Sequence, residues 1–216
     1  MKIKWLGHSS FLITAESGLK VLTDPYKSGS YEGAVGYGEI KDTADVVLVS
    51  HEHDDHNSVD SLPGNPVVVK GPGEHEASGI KFRGVATYHD RSQGKERGDN
   101  TVFVFDVDGL TVCHLGDLGH VISEKDAAQL GKVDVLLVPV GGYFTIDAGE
   151  ATSVMNAVNP KVVIPMHYKT EKLGFPIDGV DKFLEGKEGV RRHASPEIEV
   201  ARGEGPKQIV VLEHAM

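Results

Sequence analysis

Three histidines and three carboxylates occupy six consecutive positions, His51-Glu52-His53-Asp54-Asp55-His56, directly behind the apolar run Val46-Val47-Leu48-Val49. A short aliphatic run of that kind reads as a buried strand, and the polar block behind it as the turn by which the chain leaves the sheet at its rim. Imidazole and carboxylate groups presented at such a turn can converge on a cation. The fold therefore has to bring this strand end to a place where donors from other segments can meet it. A solvated polar loop is the alternative, but it leaves so close a packing of donors to chance. Without thiolates, this donor chemistry suits zinc, manganese, iron or nickel, and a histidine-rich set makes zinc the default.

The rest of the chain offers further strand ends. Short runs rich in Val, Ile, Phe or Thr alternate with turns at Lys2 to Leu6, Phe11 to Thr14, Leu19 to Thr23, Val46 to Ser50, Val67 to Lys70, Ile80 to Thr87 and Thr101 to Val107. Asp108-Gly109, a pair that tolerates positive φ, predicts a tight hairpin from the last of these into Leu110 to His114. Ser123 with Glu124 and Asp126 predicts a capped helix running to Leu130, and further helices are expected over Gly149 to Val158 and Val180 to Glu185. Between them Val133 to Val140 and Lys161 to Met166 read as strands covered on both faces, and two closing strands are expected near Ile198 and over Gln208 to Leu212. This order predicts an α/β protein, an αββα sandwich of two mixed sheets flanked by helices, in one domain over residues 1–216. Gly71 to His75 reads as loop, and Gly29 to Gly38 and Asp90 to Asn100 are the long irregular segments expected around a site.

Charge and cysteine content narrow the setting. The formal net charge is −10, with 22 Lys and Arg against 32 Asp and Glu, and no dense basic block, which disfavours a nucleic acid partner. Bound divalent cations can nevertheless invert the local field of an acidic protein. Cys113 is the single cysteine, so the chain can build neither an internal disulfide nor a cysteine-based zinc site. The N-terminus runs into strand-like sequence without an apolar signal core, and no apolar run approaches the roughly 20 residues needed to span a bilayer. The expectation is a cytoplasmic protein with no membrane span, acting on a small molecule; homo-oligomerisation is left open.

The pattern His51-x-His53-x-Asp55-His56 behind a buried strand resembles the signature of the metallo-β-lactamase superfamily, and the resemblance extends over most of the chain. Asp24, ending the run Leu19 to Thr23, matches the first motif, and His89, after Ile80 to Thr87, matches the third. Asp117 in Gly116-Asp117 matches the bridging carboxylate, and His167, after Lys161 to Met166, the final histidine. In its brevity, and in Leu6-Gly7-His8-Ser9-Ser10, Pro139-Val140-Gly141-Gly142 and Ile164-Pro165-Met166-His167-Tyr168, the chain is similar to a compact branch of metal-dependent hydrolases. That branch is similar to ascorbate-6-phosphate lactonase and N-acylphosphatidylethanolamine phospholipase D.

The resemblance implies one metal held by His51, His53 and His89, a second held by Asp55, His56 and His167, and Asp117 bridging the two. Asp24 is then expected to orient a ligand imidazole through a hydrogen bond. Asp55, Asp24 and His8 form the expected catalytic group, with His8 contacting substrate or donating a proton; Tyr143 and Lys169 are further candidates for those roles. His89 lacks the His-Thr-x-Gly-His context of the glyoxalase II-like branch, and His75 competes for its place. His114 and His120, flanking Asp117, are left outside the ligand set. Arg91, Lys95 and Arg97 offer positive charge for an anionic group, but Asp90, Glu96 and Asp99 in the same loop make a solvated surface the favoured reading.

Two cations about 3.5–4 Å apart share a water, lower its pKa and leave hydroxide poised at neutral pH. The resemblance thus implies a metal-dependent hydrolase with two zinc ions, acting on an ester, lactone or phosphodiester of a small molecule. The alternatives are a phosphodiesterase of RNA or single-stranded nucleic acid, a di-iron oxidoreductase and a non-catalytic metal-binding protein. The absence of a basic patch weighs against the first, and His53 stands where the oxidoreductase relatives have Glu. A closed structural zinc site needs four ligands rather than seven, which weighs against the last.

Overall fold

The computed structural model describes residues 1–203 and 205–216. Among these, the strands are β1 (Lys2–Gly7), β2 (Ser10–Thr14), β3 (Lys20–Thr23), β4 (Val46–Val49), β5 (Val67–Lys70), β6 (Gly73–Ala77), β7 (Ile80–Tyr88), β8 (Asp99–Val107), β9 (Leu110–His114), β10 (Val135–Pro139), β11 (Val162–Met166), β12 (Val190–His193), β13 (Glu197–Glu199) and β14 (Gln208–Leu212). The helices are α1 (Glu124–Leu130), α2 (Ala148–Val158) and α3 (Val180–Leu184). One sheet has the order β13-β1-β2-β3-β4-β5, the other β12-β14-β11-β10-β9-β8-β7-β6. Both are mixed: β1 to β3 and β6 to β9 run antiparallel, whereas β3-β4-β5 and β9-β10-β11 run parallel. Two mixed sheets with few helices make this the sandwich that the order of elements predicts.

Strand alternation builds two cores. Along β4, Val46 and Leu48 join Ile3, Trp5 and Phe11 in the main core, which also takes Phe82, Phe103 and Phe105 from the other sheet. Val47 and Val49 face the opposite way, into a smaller core with Leu6, Leu12 and Leu22. That second face is covered by Tyr26, Tyr37, Leu173, Phe175 and Ile177 from irregular segments, whereas the buried residues of α2 and α3 join the main core. The β-rich elements β2, β5 and β9 and the three helices fall where the residue pattern places them. α1 carries the predicted Ser123 cap, completed by Asp126, and Asp147 with Glu150 caps α2 in the same reciprocal way. Asp108 (φ 52°) and Gly109 (φ 70°) form the predicted tight turn.

Two strands depart from expectation. Gly71 to His75 is not all loop: Gly73–Ala77 is strand β6, an edge pairing antiparallel with β7. β12, Val-Arg-Arg-His, pairs parallel with β14. Both lack an alternating apolar pattern, so the ladder and not the side chains sets their conformation. No helix among the described residues is long and apolar enough to cross a membrane.

The topology fixes where functional side chains go. β1, β3 and β4 point the same way in one sheet, as do β7, β9 and β11 in the other, so their C-terminal ends gather along one rim. His8 follows β1, Asp24 follows β3, the 51–56 block follows β4, His89 follows β7, Asp117 follows β9 and His167 follows β11. The C-terminal strand rim is the usual ligand edge of α/β sheets.

Candidate metal centre

The 51–56 segment leaves β4 as a tight turn, with the amides of His56 and Asn57 donating to the carbonyl of His53 at 2.8 and 3.0 Å. The turn sorts its side chains. Glu52 and Asp54 point outward, Glu52 to Lys70 and Asn57, while His51, Asp55 and His56 are buried and His53 is half-buried. Three positions around them hold non-glycine residues in the left-handed region, His8 (φ 52°), Asp24 (φ 38°) and His167 (φ 50°). Such backbone costs free energy that the surrounding contacts must offset, and it concentrates at functional sites.

The donors fall into overlapping groups, in each of which the ligating atoms lie within 4.8 Å of one another: His51, His53 and His89; His8, Asp55, His56 and His167; and His51, His56 and Asp117. The first two bring together the residues that the sequence assigns to two separate sets, with His8 beside the second. Asp117 joins them. Its Oδ2 is 3.2 Å from Nε2 of His56, 3.2 Å from Nε2 of His167, 3.3 Å from Nε2 of His89 and 3.9 Å from Nε2 of His51. Asn100 fixes this loop by accepting the Asp117 amide at 3.0 Å while its own amide donates to Thr87 and Leu115.

Four ring nitrogens around one carboxylate oxygen are more than that oxygen can accept, and buried Nε2 of His51, Nε2 of His56 and Oδ1 of Asp117 have no hydrogen-bond partner. Neutral imidazole lone pairs would repel the carboxylate, and several imidazolium ions could not share so small a buried space. A divalent cation resolves both conflicts. The side chains present therefore fit a metal.

Hydrogen bonds behind the donors set their direction. Asp24 Oδ1 accepts the Ser50 amide at 2.8 Å, and its Oδ2 accepts Ser50 Oγ at 2.7 Å, His114 Nε2 at 2.8 Å and His56 Nδ1 at 3.1 Å. With its proton committed to Asp24, Ser50 Oγ accepts from Nδ1 of His51 at 2.9 Å. Both His51 and His56 thereby commit Nδ1 to these acceptors and turn Nε2, the nitrogen left to ligate a metal, toward Asp117. His114 thus belongs to the Asp24 network and not to the donor groups. Asp55 is gripped on both oxygens, by His8 Nε2 at 3.0 Å on Oδ2 and by the Tyr31 hydroxyl at 3.1 Å on Oδ1.

Burial holds the His51 and His89 imidazoles below their usual range and brings His8 down to about 4, with His167 adding to the effect, so these rings stay neutral, the form that ligates. His56 moves upward because Asp117 and Asp55 outweigh its burial. Burial would raise the Asp117 carboxyl, but His167 and His56 hold it well below the carboxylate range.

Other candidates lie apart. His75 donates from Nε2 to the Gly71 carbonyl on the edge strand, and His120 accepts from the Tyr88 amide; neither enters a donor group. Arg91 is engaged twice by Glu150 at 2.8 Å, and Lys169 donates to the Phe175 carbonyl, so both have structural partners. Tyr143 is exposed on the loop after β10. Tyr31 went unremarked in the sequence because no periodicity marks the Gly-rich segment that carries it.

Two glycines let the donor loops touch. A Cβ on Gly119 would stand 2.3 Å from the amide nitrogen of Asp90 and the carbonyl carbon of His89, and one on Gly141 would stand 2.3 Å from the His167 carbonyl oxygen.

A family model described as a beta-lactamase superfamily domain matches residues 2–167, a span that includes every donor from His8 to His167. A UPF0173 metal-dependent hydrolase of Carboxydothermus hydrogenoformans is 35% identical over 198 residues, covering 79% of this chain and 85% of its own length. A similarly named protein of Pyrococcus abyssi is 31% identical over 196 residues, with 79% and 85% covered. Among solved structures, one from Thermotoga maritima, described as a candidate zinc-dependent hydrolase of the metallo-β-lactamase superfamily, superposes with a TM-score of 0.80 at 39% identity, covering 99% of this chain and 98% of that one.

Proposed function

The chain belongs to the metallo-β-lactamase superfamily and is a metal-dependent hydrolase, and from that premise we propose that it holds two zinc ions and cleaves an ester, lactone or phosphodiester of a small molecule, as one domain over residues 1–216. The observation that carries this reading is the meeting of two donor groups at Asp117 Oδ2, with the Nε2 atoms of His51, His56, His89 and His167 all within 3.9 Å. His51, His53 and His89 would hold one ion and Asp55, His56 and His167 the other, with Asp117 shared between the two sets. Zinc is favoured by a histidine-rich set without thiolates and by the description of the Thermotoga maritima relative. When bound, such a pair lowers the pKa of a shared water and polarises the carbonyl or phosphoryl oxygen under attack.

The chain's own groups do the rest. Asp24 and Ser50 keep the protons of His56 and His51 on Nδ1, so that Nε2 stays free to ligate. His8 holds a proton against Asp55 Oδ2 and fixes that carboxylate's direction at the edge of the centre. Burial excludes competing water from the histidines and strengthens each charge interaction there.

The test is metal analysis of the purified protein followed by a panel of carboxylic esters, lactones and phosphodiesters with the metal it retains. Turnover of at least one class, abolished by a chelator and restored by zinc, supports the reading; equal turnover by metal-free protein refutes it.

A further inference from the structure

The loops leaving the donor rim carry more than donors. Tyr31 follows β3, Tyr143 and Phe144 follow β10, and Phe175 follows β11, and their rings meet edge to face in sequence: Tyr31 on Phe175 at 5.4 Å, Phe175 on Phe144 at 5.4 Å, and Phe144 on Tyr143 at 4.7 Å between centroids. The near end of this strip touches the donors. The Tyr31 hydroxyl lies 3.1 Å from Asp55 Oδ1, and Phe175 packs edge to face on His8 at 5.9 Å. Over the third ring the Arg97 guanidinium sits 5.6 Å from the Phe144 centroid, brought there by the loop that follows His89.

Core packing accounts for only part of this. Phe175 and Phe144 are rooted in the smaller core, but Tyr31 and Tyr143 are 48% and 66% exposed. Both also sit in the left-handed region, at φ 52° and 62°, which is costly for a bulky L-residue. Exposed aromatic rings held in strained backbone beside a reactive centre are what a substrate wall requires, because edges and faces left open to solvent can take a flat apolar group. With metal bound, the near end would carry positive charge, and Arg97 adds a cation over the third ring, with apolar surface between. That distribution complements a molecule whose acid-derived ester lies at the metals and whose aromatic body lies along the rings.

We propose that the Tyr31, Phe175, Phe144 and Tyr143 strip is the substrate wall of this enzyme and selects aryl carboxylic esters or aryl phosphodiesters over small aliphatic ones; this rests on the hydrolytic reading of the metal centre above. Arg97 flanks the wall at Phe144. Tyr31 links the wall to the centre through Asp55.

Phenylphosphonate and methylphosphonate present the same acid group with and without a ring, and their binding to zinc-loaded protein is read by calorimetry with metal content measured on the same samples. The wall predicts that phenylphosphonate binds about tenfold tighter, a ratio of the size expected for one stacked ring. The ratio falls toward one in Tyr143→Ala and in Phe144→Leu and persists in Tyr31→Phe, which keeps the ring. A ratio near one in the parent protein, or an unchanged ratio in both wall variants, overturns the proposal. If two ions are present and the ratio is one, only the wall fails. If the protein takes up fewer than two ions and binds neither phosphonate, the metal-centre reading fails with it.

Discussion

Oδ2 of Asp24 accepts a hydrogen bond from Nδ1 of His56 at 3.1 Å, across 32 positions of sequence. The same carboxylate holds His114 and Ser50, and through Ser50 it reaches His51, so one buried charge directs imidazoles in both halves of the centre. Asp24→Asn keeps the shape and removes the charge. Zinc affinity is expected to fall about 10–100-fold, measured by competition with a chromophoric chelator, while the fold survives by circular dichroism. Affinity within twofold of the parent counts against the orienting role.

The same residue gives a pH dependence with a definite sign. Burial pushes the Asp24 carboxyl upward, but His114 and His56 hold it well below the usual carboxylate range. A carboxylate with a depressed folded-state pKa contributes stability that is complete above about pH 4 and is lost as acid protonates it. Thermal melts of metal-free protein should therefore show acid destabilisation below about pH 4 that is weaker in Asp24→Asn. Parallel profiles for the two proteins would contradict this.

His8 adds to the second donor group only. Its Nε2 holds Asp55 Oδ2 at 3.0 Å, and its ring packs on His167 at 4.2 Å, while His51, His53 and His89 group without it. His8→Ala is expected to weaken the binding of one of two zinc ions and to leave the other near its parent affinity. Calorimetric titration separates the two steps, and equal weakening of both would be inconsistent with this division.

Gly119 tests how closely the His89 and Asp117 loops approach. With a Cβ 2.3 Å from neighbouring backbone, Gly119→Ala has no flexible side chain to displace. It should cost about 1–3 kcal/mol in denaturant unfolding, as overpacked sites do, and lower zinc affinity as well. A stability change under about 0.5 kcal/mol, the level of an ordinary surface substitution, would show that the loops separate easily.

How much of this was legible in the sequence depends on what fixes each element. The strand ends bearing His51 and His167 are marked by aliphatic runs, and those bearing His89 and Asp117 by strands that mix Val, Ile, Leu, Phe and Thr with polar residues, because buried strands must be apolar on their covered faces. β6 and β12 carry Glu, His and Arg on exposed edges, where backbone pairing alone decides. Tyr31 is placed by contacts distant in sequence: Val35 bridges Leu173, Gly36 donates to the Lys172 carbonyl, and Gly174 donates to the Ala34 carbonyl. No local pattern announces such a latch, so the grip on Asp55 and the aromatic strip emerge only in three dimensions. The part of His8 is intermediate, since its place after β1 is readable but its meeting with Asp55 is not.

Counting zinc ions is the most direct test of the account. The parent protein, titrated with zinc and analysed by mass spectrometry under native conditions, should take up two ions per chain, and Asp117→Ala should take up at most one at the same concentration. Two ions retained at parent affinity in Asp117→Ala, or a single ion in the parent at saturation, would contradict a centre whose halves meet at Asp117.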